Sequence, residues 1–135
     1  MSISYINWLA TIVAALSSFL VGGLWYSKIL FGKAWMEASN LTEEHMKTGN
    51  KGKIFGFTFI FSLIMAINIA IFFQVYGKTD ALLGAKVGFH IGLIALSTTA
   101  VMGLFELKSW KYIFINGFYS LVSLTIMGAI IGAWR

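Results

Sequence analysis

Four stretches of this chain stay apolar for long enough to cross a bilayer. They are residues 5–26, 54–76, 81–105 and 112–134. A helix needs about 20 apolar residues to traverse ~30 Å of hydrocarbon. Backbone groups in lipid must satisfy one another within the chain, so such runs are expected to be helices. Composition points the same way. The 135 residues are 59% hydrophobic and only 11% charged, with a mean hydropathy of +0.83, whereas a soluble domain carries about 25% charged residues and needs a polar skin. The expected fold class is therefore all-α and integral to a membrane: one transmembrane domain over residues 1–135, its four spanning helices arranged as two helical hairpins.

The first run is expected to be a retained span. No Lys or Arg precedes it, it exceeds the roughly 7–15 residues of a signal-peptide core, and no small-x-small cleavage site follows Trp25 and Tyr26. The sequence holds no Pro, so no proline kink is available. It holds no Cys, which excludes disulfides, thiolate metal sites and a cysteine nucleophile.

The links sort the helices. Residues 77–80 separate the second and third runs, and "ELKSWK" separates the third and fourth. Links this short make successive helices antiparallel neighbours. Loop one, residues 27–53, is the long connection. Its first part, "SKILFGKAWMEA", suits a short helix lying in the membrane interface. Its second, "NLTEEHMKTG", suggests a capped helical turn, with Asn40 and Glu43 at capping-box spacing and Gly49 as its stop. Trp25, Tyr26 and Trp35, with Lys28 and Lys33, are expected to anchor that region at the interface.

Charge sets the expected orientation. Lys28, Lys33, Lys47, Lys51, Lys53, Lys108 and Lys111 lie in loop one and the last link, against Lys78, Lys86 and Arg135 on the other side. The excess places loops one and three in the cytoplasm and both termini outside. With the basic residues in loops and at helix ends, the net charge of +5 predicts contact with anionic membrane lipids and no nucleic-acid partner.

Helical periodicity distinguishes faces. In the first span Asn7, Thr11, Ala14, Ser18, Gly22 and Trp25 share a small or polar stripe. In the fourth, Asn116, Ser120, Ser123 and Met127 share one, while Gly128 and Gly132 lie on another face. The third span carries Gly84, Gly88 and Gly92, continued by Ala95, Thr99 and Gly103. Such small-xxx-small repeats let helix backbones approach closely. Lys86, His90 and Ser97 fall on its opposite face. A helix with two faces unsuited to lipid predicts a homo-oligomer, a dimer being simplest.

His90 is the one histidine within a span, and an ionisable group there is a functional candidate by default. The alternative is a neutral imidazole bonded to Ser97 or to span-four hydroxyls. Lys86, one turn nearer the surface, snorkels or lines a basic cavity with His90. Glu106 is expected to pair with Lys108, Lys111 or Lys28. His45, beside Glu43 and Glu44, lacks the further ligands of a metal site. No metal-protease pair, nucleophile elbow or phosphate-binding glycine loop is present. The chain is thus not expected to be an enzyme, and no cofactor or metal is implied. Three roles are compatible with it: a channel or carrier for a small solute or ion, foremost; a structural or accessory subunit of a membrane complex; and, more weakly, an enzyme acting on lipid.

Two segments resemble a known family. "GGLWYSKILFGKAWM" is similar to the GxLWYSPxLFGxxWM signature of the domain-of-unknown-function family 1761. "ALSTTAVMGLFELKSWKYIFINGFYSLVSLTIMGAIIGAW" resembles that family's C-terminal pattern, and "NLTEEHM" and "INWLA" also fit. The resemblance implies a four-span bacterial membrane protein, with no established activity to carry over, and the bacterial cytoplasmic (inner) membrane is the expected location. This chain departs from the pattern at Lys28, where the family often has Pro, and at Ser120, where it often has His.

Overall fold

The computed structural model describes residues 2–134, and the regular elements among them are all helical. In chain order they are α1 (Trp8–Trp25), α2 (Gly32–Ala38), α3 (Glu43–Lys47), α4 (Lys51–Phe72), α5 (Ala81–Phe105) and α6 (Trp110–Ala133), with short 3-10 turns at Ile3–Tyr5 and Phe73–Tyr76. Four segments, α1, α4 with its following turn, α5 and α6, are long and apolar enough to cross a membrane.

Local chemistry explains where these helices start. The first N–H groups of a helix have no partner within it, and an Asn, Asp, Ser or Thr side chain just ahead supplies one. Asn7 accepts from Ala10 N–H, Asn50 from Lys53 N–H, Asp80 from Leu83 N–H and Ser109 from Tyr112 N–H. The caps at Asn50 and Ser109 start α4 and α6 ahead of the apolar runs themselves, at Lys51 and Trp110. The capping box expected at Asn40 and Glu43 does not form. Asn40 instead turns the chain in the left-handed region at φ 54°, which Asn tolerates better than most residues, and Thr42 caps α3 by accepting from His45 N–H at 3.1 Å.

The helices pack in an order that chain connectivity does not impose. α5 and α6 form by far the most extensive contact, followed by α1 with α6 and then α1 with α4. α4 and α5, despite their short link, barely meet. The 3-10 turn at Phe73–Tyr76 and Gly77 at φ 67° carry the chain between them. The expectation that every short link makes close neighbours thus fails for this pair: α4 finds its complementary surface on α1.

Small side chains make that surface. Ala10, Ala14, Ala15 and Ala66 are fully buried, with Ala70 close to it. Ser18 Oγ–H reaches Ser62 Oγ at 3.0 Å across the α1–α4 contact. Phe73, Met127 and Ile131 fill the middle of the same cluster. Large apolar side chains stand outside instead: Leu20, Phe61, Ile94, Val101, Phe105 and Phe114 are all exposed. Small residues inside and large ones outside is the arrangement lipid favours, because close backbone approach drives helix association there. In water so large an apolar surface would be a liability.

The bundle has two chemically distinct ends. At one, Trp25 and Tyr26 meet the start of α6, and Lys111 pairs with Glu37 at 3.1 Å, so loop one and the α5–α6 link lie together. At the other, Ser2 N–H donates to Gln74 Oε1, Asn7 Nδ2–H to Trp134 O and Thr79 Oγ1–H to Gly132 O. That end gathers the N-terminal residues, the α4–α5 link and the end of α6. Arg135, counted with Lys78 and Lys86 in the charge comparison, lies outside the described residues.

Candidate functional site

Two segments remote in sequence meet at the loop-one end, and both lie in the stretches that carry the family resemblance. The chain leaves α1 through a tight turn. Phe31 N–H donates to Trp25 O at 3.0 Å and Gly32 N–H to Ser27 O at 2.8 Å. Gly32 has no room for a side chain, since a Cβ there would sit 2.5 Å from Tyr26 O and 2.7 Å from Ser27 C. The turn folds Phe31 onto Trp25, with ring centroids 4.6 Å apart, and Trp35 of α2 edge-on against Tyr26 at 4.9 Å.

That aromatic knot is fastened to α6, 90 residues away in sequence. Trp25 Nε1–H donates to Ile115 O at 2.9 Å. Tyr26 O–H donates to Asn116 Oδ1 at 2.8 Å, and Asn116 Nδ2–H donates to Tyr112 O at 2.9 Å. The Tyr26 and Tyr119 rings lie 5.3 Å apart, and Tyr119 O–H donates to Ser18 O at 3.2 Å. Gly22 leaves the space in which the Tyr119 hydroxyl sits, since a Cβ there would stand 3.3 Å from that oxygen. A half-buried indole or phenol benefits from such a partner, because its polar atom has left water.

Charge flanks the junction. Lys28 Nζ lies 2.9 Å from Glu43, and Lys111 Nζ lies 3.1 Å from Glu37. Glu43 raises the Lys28 ammonium above its ordinary pKa, chiefly through their hydrogen bond, and Lys28 lowers the Glu43 carboxyl below its own. Both pairs are exposed, so screening keeps their energetic weight small. Lys28, Lys33, Met36, Glu37, Leu41 and Glu43 line a hollow of about 450 Å³. Glu106, expected to pair with Lys28, Lys108 or Lys111, makes no ion pair among the described residues; Glu43 and Glu37 hold two of those lysines. Lys108 lies over the Tyr112 ring instead, 5.3 Å from its centroid.

The glycines of α5 meet α6 within the same chain. A Cβ on Gly84 would collide with the Gly128 carbonyl, and one on Gly88 with the Leu124 carbonyl. On Gly92 it would lie 2.8 Å from Leu121 Cα, and on Gly103 2.7 Å from the Ile113 side chain. Gly128 faces Gly84 in return, and Gly132 lies against Gly84 and Asp80. Helical periodicity separated these faces but did not identify their partners.

With its glycine face spent on α6, α5 turns Lys86, His90 and Ser97 outward, and all three are exposed. His90 Nδ1 lies 2.8 Å from Lys86 O. A carbonyl oxygen only accepts, so Nδ1 carries the hydrogen and Nε2 points away from that bond. Ser97 does not bond His90: its hydroxyl donates to Leu93 O at 2.8 Å. Beside Lys86 and His90 runs a groove of about 350 Å³ between α5 and the end of α4.

Sequence reasoning placed Asn116 on a polar stripe of the fourth span without naming its partner, and gave Tyr119 no role. Their signal was a polar side chain inside an apolar run, within a segment as strongly patterned as the stretch around Trp25. Gly32 was missed too, because a tight turn is invisible until the chain is seen to reverse there.

The family described as "Protein of unknown function (DUF1761)" matches residues 9–132. No protein of curated function and no solved structure matches the chain. Both segments joined at the aromatic junction fall within the matched range.

Proposed function

This chain belongs to the DUF1761 family, and on that premise we propose that it is a multi-pass protein of the bacterial cytoplasmic membrane that works as a homo-oligomer, most simply a dimer, and passes a small solute or ion without catalysing a reaction. The observation that carries this reading is the outward placement of Lys86, His90 and Ser97 on α5. The interior of the bundle is filled by side chains such as Ala14, Ala66, Phe73 and Met127, so a wet path belongs between copies rather than through one. Polar groups on a membrane-facing helix seek a partner or a water-filled cavity, and a second α5 supplies both. Lysines crowd the loop-one end of the bundle, which supports loops one and three in the cytoplasm and the termini outside.

The absence of cysteine makes the test clean. Single cysteines at Phe89 and Leu104, both exposed on α5, should cross-link between copies in native membranes, whereas one at Phe61 on α4 should not. Liposomes holding the protein should pass a solute that His90→Ala liposomes do not. Absence of both the cross-link and the flux would overturn the reading. A second reading, a structural or accessory subunit, is favoured by the hydroxyls of that same face. Ser97 and Thr98 donate to carbonyls of their own helix, Leu93 O and Ile94 O, and so need no water. Cross-linking without flux for any solute would select it.

A further inference from the structure

The groove beside α5 has a charged rim and an apolar wall. Phe72 at the end of α4 and Tyr76 of the 3-10 turn after it line the groove with Leu83 and Ile94 of α5, and Lys86 and His90 share the lining. The groove exists because α4 packs on α1 and leaves α5 almost uncontacted on this side. From these features we infer that the ligand taken by this polar face is an anionic phospholipid, its phosphate held by Lys86 and His90 and one acyl chain lying along α5. The inference rests on the membrane-spanning reading and goes beyond the proposed passage: the lipid lies on the α4 side of the polar face, along Leu83, Ile91 and Ile94, and leaves the Phe89 side of that face to the second copy.

Charge complementarity is the first argument. The ion pairs among the described residues are Lys28–Glu43 and Lys111–Glu37, so Lys86 has no carboxylate partner. Asp80, the nearest acid along the chain, is engaged in capping Leu83 N–H at 2.8 Å. An exposed ammonium close to the headgroup region attracts anionic lipid. His90 lies one helical turn deeper. Its Nδ1 is fixed on Lys86 O, which leaves Nε2 as the ring atom available to a ligand. An ammonium such as that of Lys86 donates to a phosphate oxygen, and such charge-assisted bonds are among the stronger ones.

Dimension is the second. Lys86 begins the sixth position of α5 (Ala81–Phe105). From it to Ile94 the helix rises about 12 Å at ~1.5 Å per residue, close to the ~15 Å of hydrocarbon that one leaflet contributes. Ile94 also borders a second hollow farther along α5, shared with Ser97, Val101 and Met102. The trough therefore continues toward the bilayer centre, as an acyl chain does; its charged groups stand at the outer end, and farther in Val101 and Met102 share it with the hydroxyls of Ser97 and Thr98.

The test uses the full chain in detergent, mixed with equal amounts of phosphatidylglycerol and phosphatidylcholine, and counts retained lipid by native mass spectrometry. Phosphatidylglycerol should be retained in preference. Lys86→Gln should weaken its retention about tenfold, as loss of one charge-assisted contact does, and His90→Ala by less. Lys51→Gln, at the start of α4 at the other end, should change nothing, and excess inorganic phosphate should not displace the lipid. Equal retention of the two lipids, an unaltered Lys86→Gln variant, an equal loss in Lys51→Gln, or displacement by free phosphate would each overturn the inference. Helical circular dichroism of Lys86→Gln checks that it remains folded. Lipid preference without solute flux sinks the proposed passage alone, whereas solute flux without lipid preference sinks this inference alone.

Discussion

Replacing Gly88 by Ala adds one methyl group where α5 lies directly against the backbone of α6, one turn from the Gly84–Gly128 contact. The new Cβ would meet the Leu124 carbonyl head-on, with Leu124 C at 2.9 Å and Thr125 Cα at 3.0 Å. These are backbone atoms, so no rotamer change relieves the contact. Restoring an ordinary separation of 3.4 Å or more from the carbonyl oxygen requires the helices to part by about an ångström, and a gap of ~0.5–1 Å forfeits a quarter to a half of each dispersion contact it opens. Overpacking of a fitted core costs about 1–3 kcal/mol, and the α5–α6 contact is the largest in the bundle. Gly56 of α4 and Gly23 of α1 are the controls, because a Cβ at either meets nothing within 4 Å. There the change to Ala should stabilise by about 0.5–1 kcal/mol, the helix-interior advantage of Ala over Gly. Thermal unfolding of the detergent-solubilised protein, followed by circular dichroism, should order the variants Gly88→Ala below wild type and wild type at or below Gly56→Ala. A Gly88→Ala protein as stable as wild type would refute the close approach of α5 and α6, as would an equal loss at Gly56.

Other outcomes follow from the aromatic junction and its charges. Tyr26→Phe removes the donor to Asn116 and should cost about 1 kcal/mol. In a double-mutant cycle with Asn116→Ala the two losses should not add, and full additivity would show that the pair is not coupled. Gly32→Ala should force the turn after α1 open, because its Cβ meets the backbone of Tyr26 and Ser27. Limited proteolysis should then cut loop one faster while the cut rate elsewhere stays unchanged, and an unaltered pattern would count against the turn. Glu43 should titrate below its ordinary value of 4.5, and Lys28→Gln should return it toward that value. The pair's contribution to loop-one order is complete above that ordinary value and is lost as pH falls through the lowered one. A carboxyl NMR titration in which Lys28→Gln leaves Glu43 unmoved would contradict the ion pair.

The charge pattern and the turn chemistry were legible in different degrees. Five of the helices start where an Asn, Asp, Ser or Thr side chain reaches forward to a bare N–H, a local matter that sequence exposes directly. The α3 start was still misplaced, because Asn40 and Thr42 compete for the capping role and only the backbone turn at Asn40 decides between them. Glu106 was expected to pair with Lys108, Lys111 or Lys28, yet Lys28 and Lys111 reach Glu43 and Glu37 because loop one folds back over α6.

By itself, the sequence determined the number of long helices, their apolar character and the existence of a glycine face and a polar face on α5. Each of those depends on length, composition or a period of 3.6 residues, which are properties of one segment at a time. Which faces meet was decided only in three dimensions. Gly84 found Gly128, α4 found α1 rather than α5, and Trp25 and Tyr26 found Ile115 and Asn116. Apolar periodicity marks a surface as fit for contact but carries no address, because many small or apolar surfaces are nearly equivalent until their shapes are brought together. The stretch around Trp25 therefore read as an interface anchor, and its fastening to α6 became visible only once the fold had brought two segments 90 residues apart within one hydrogen bond of each other.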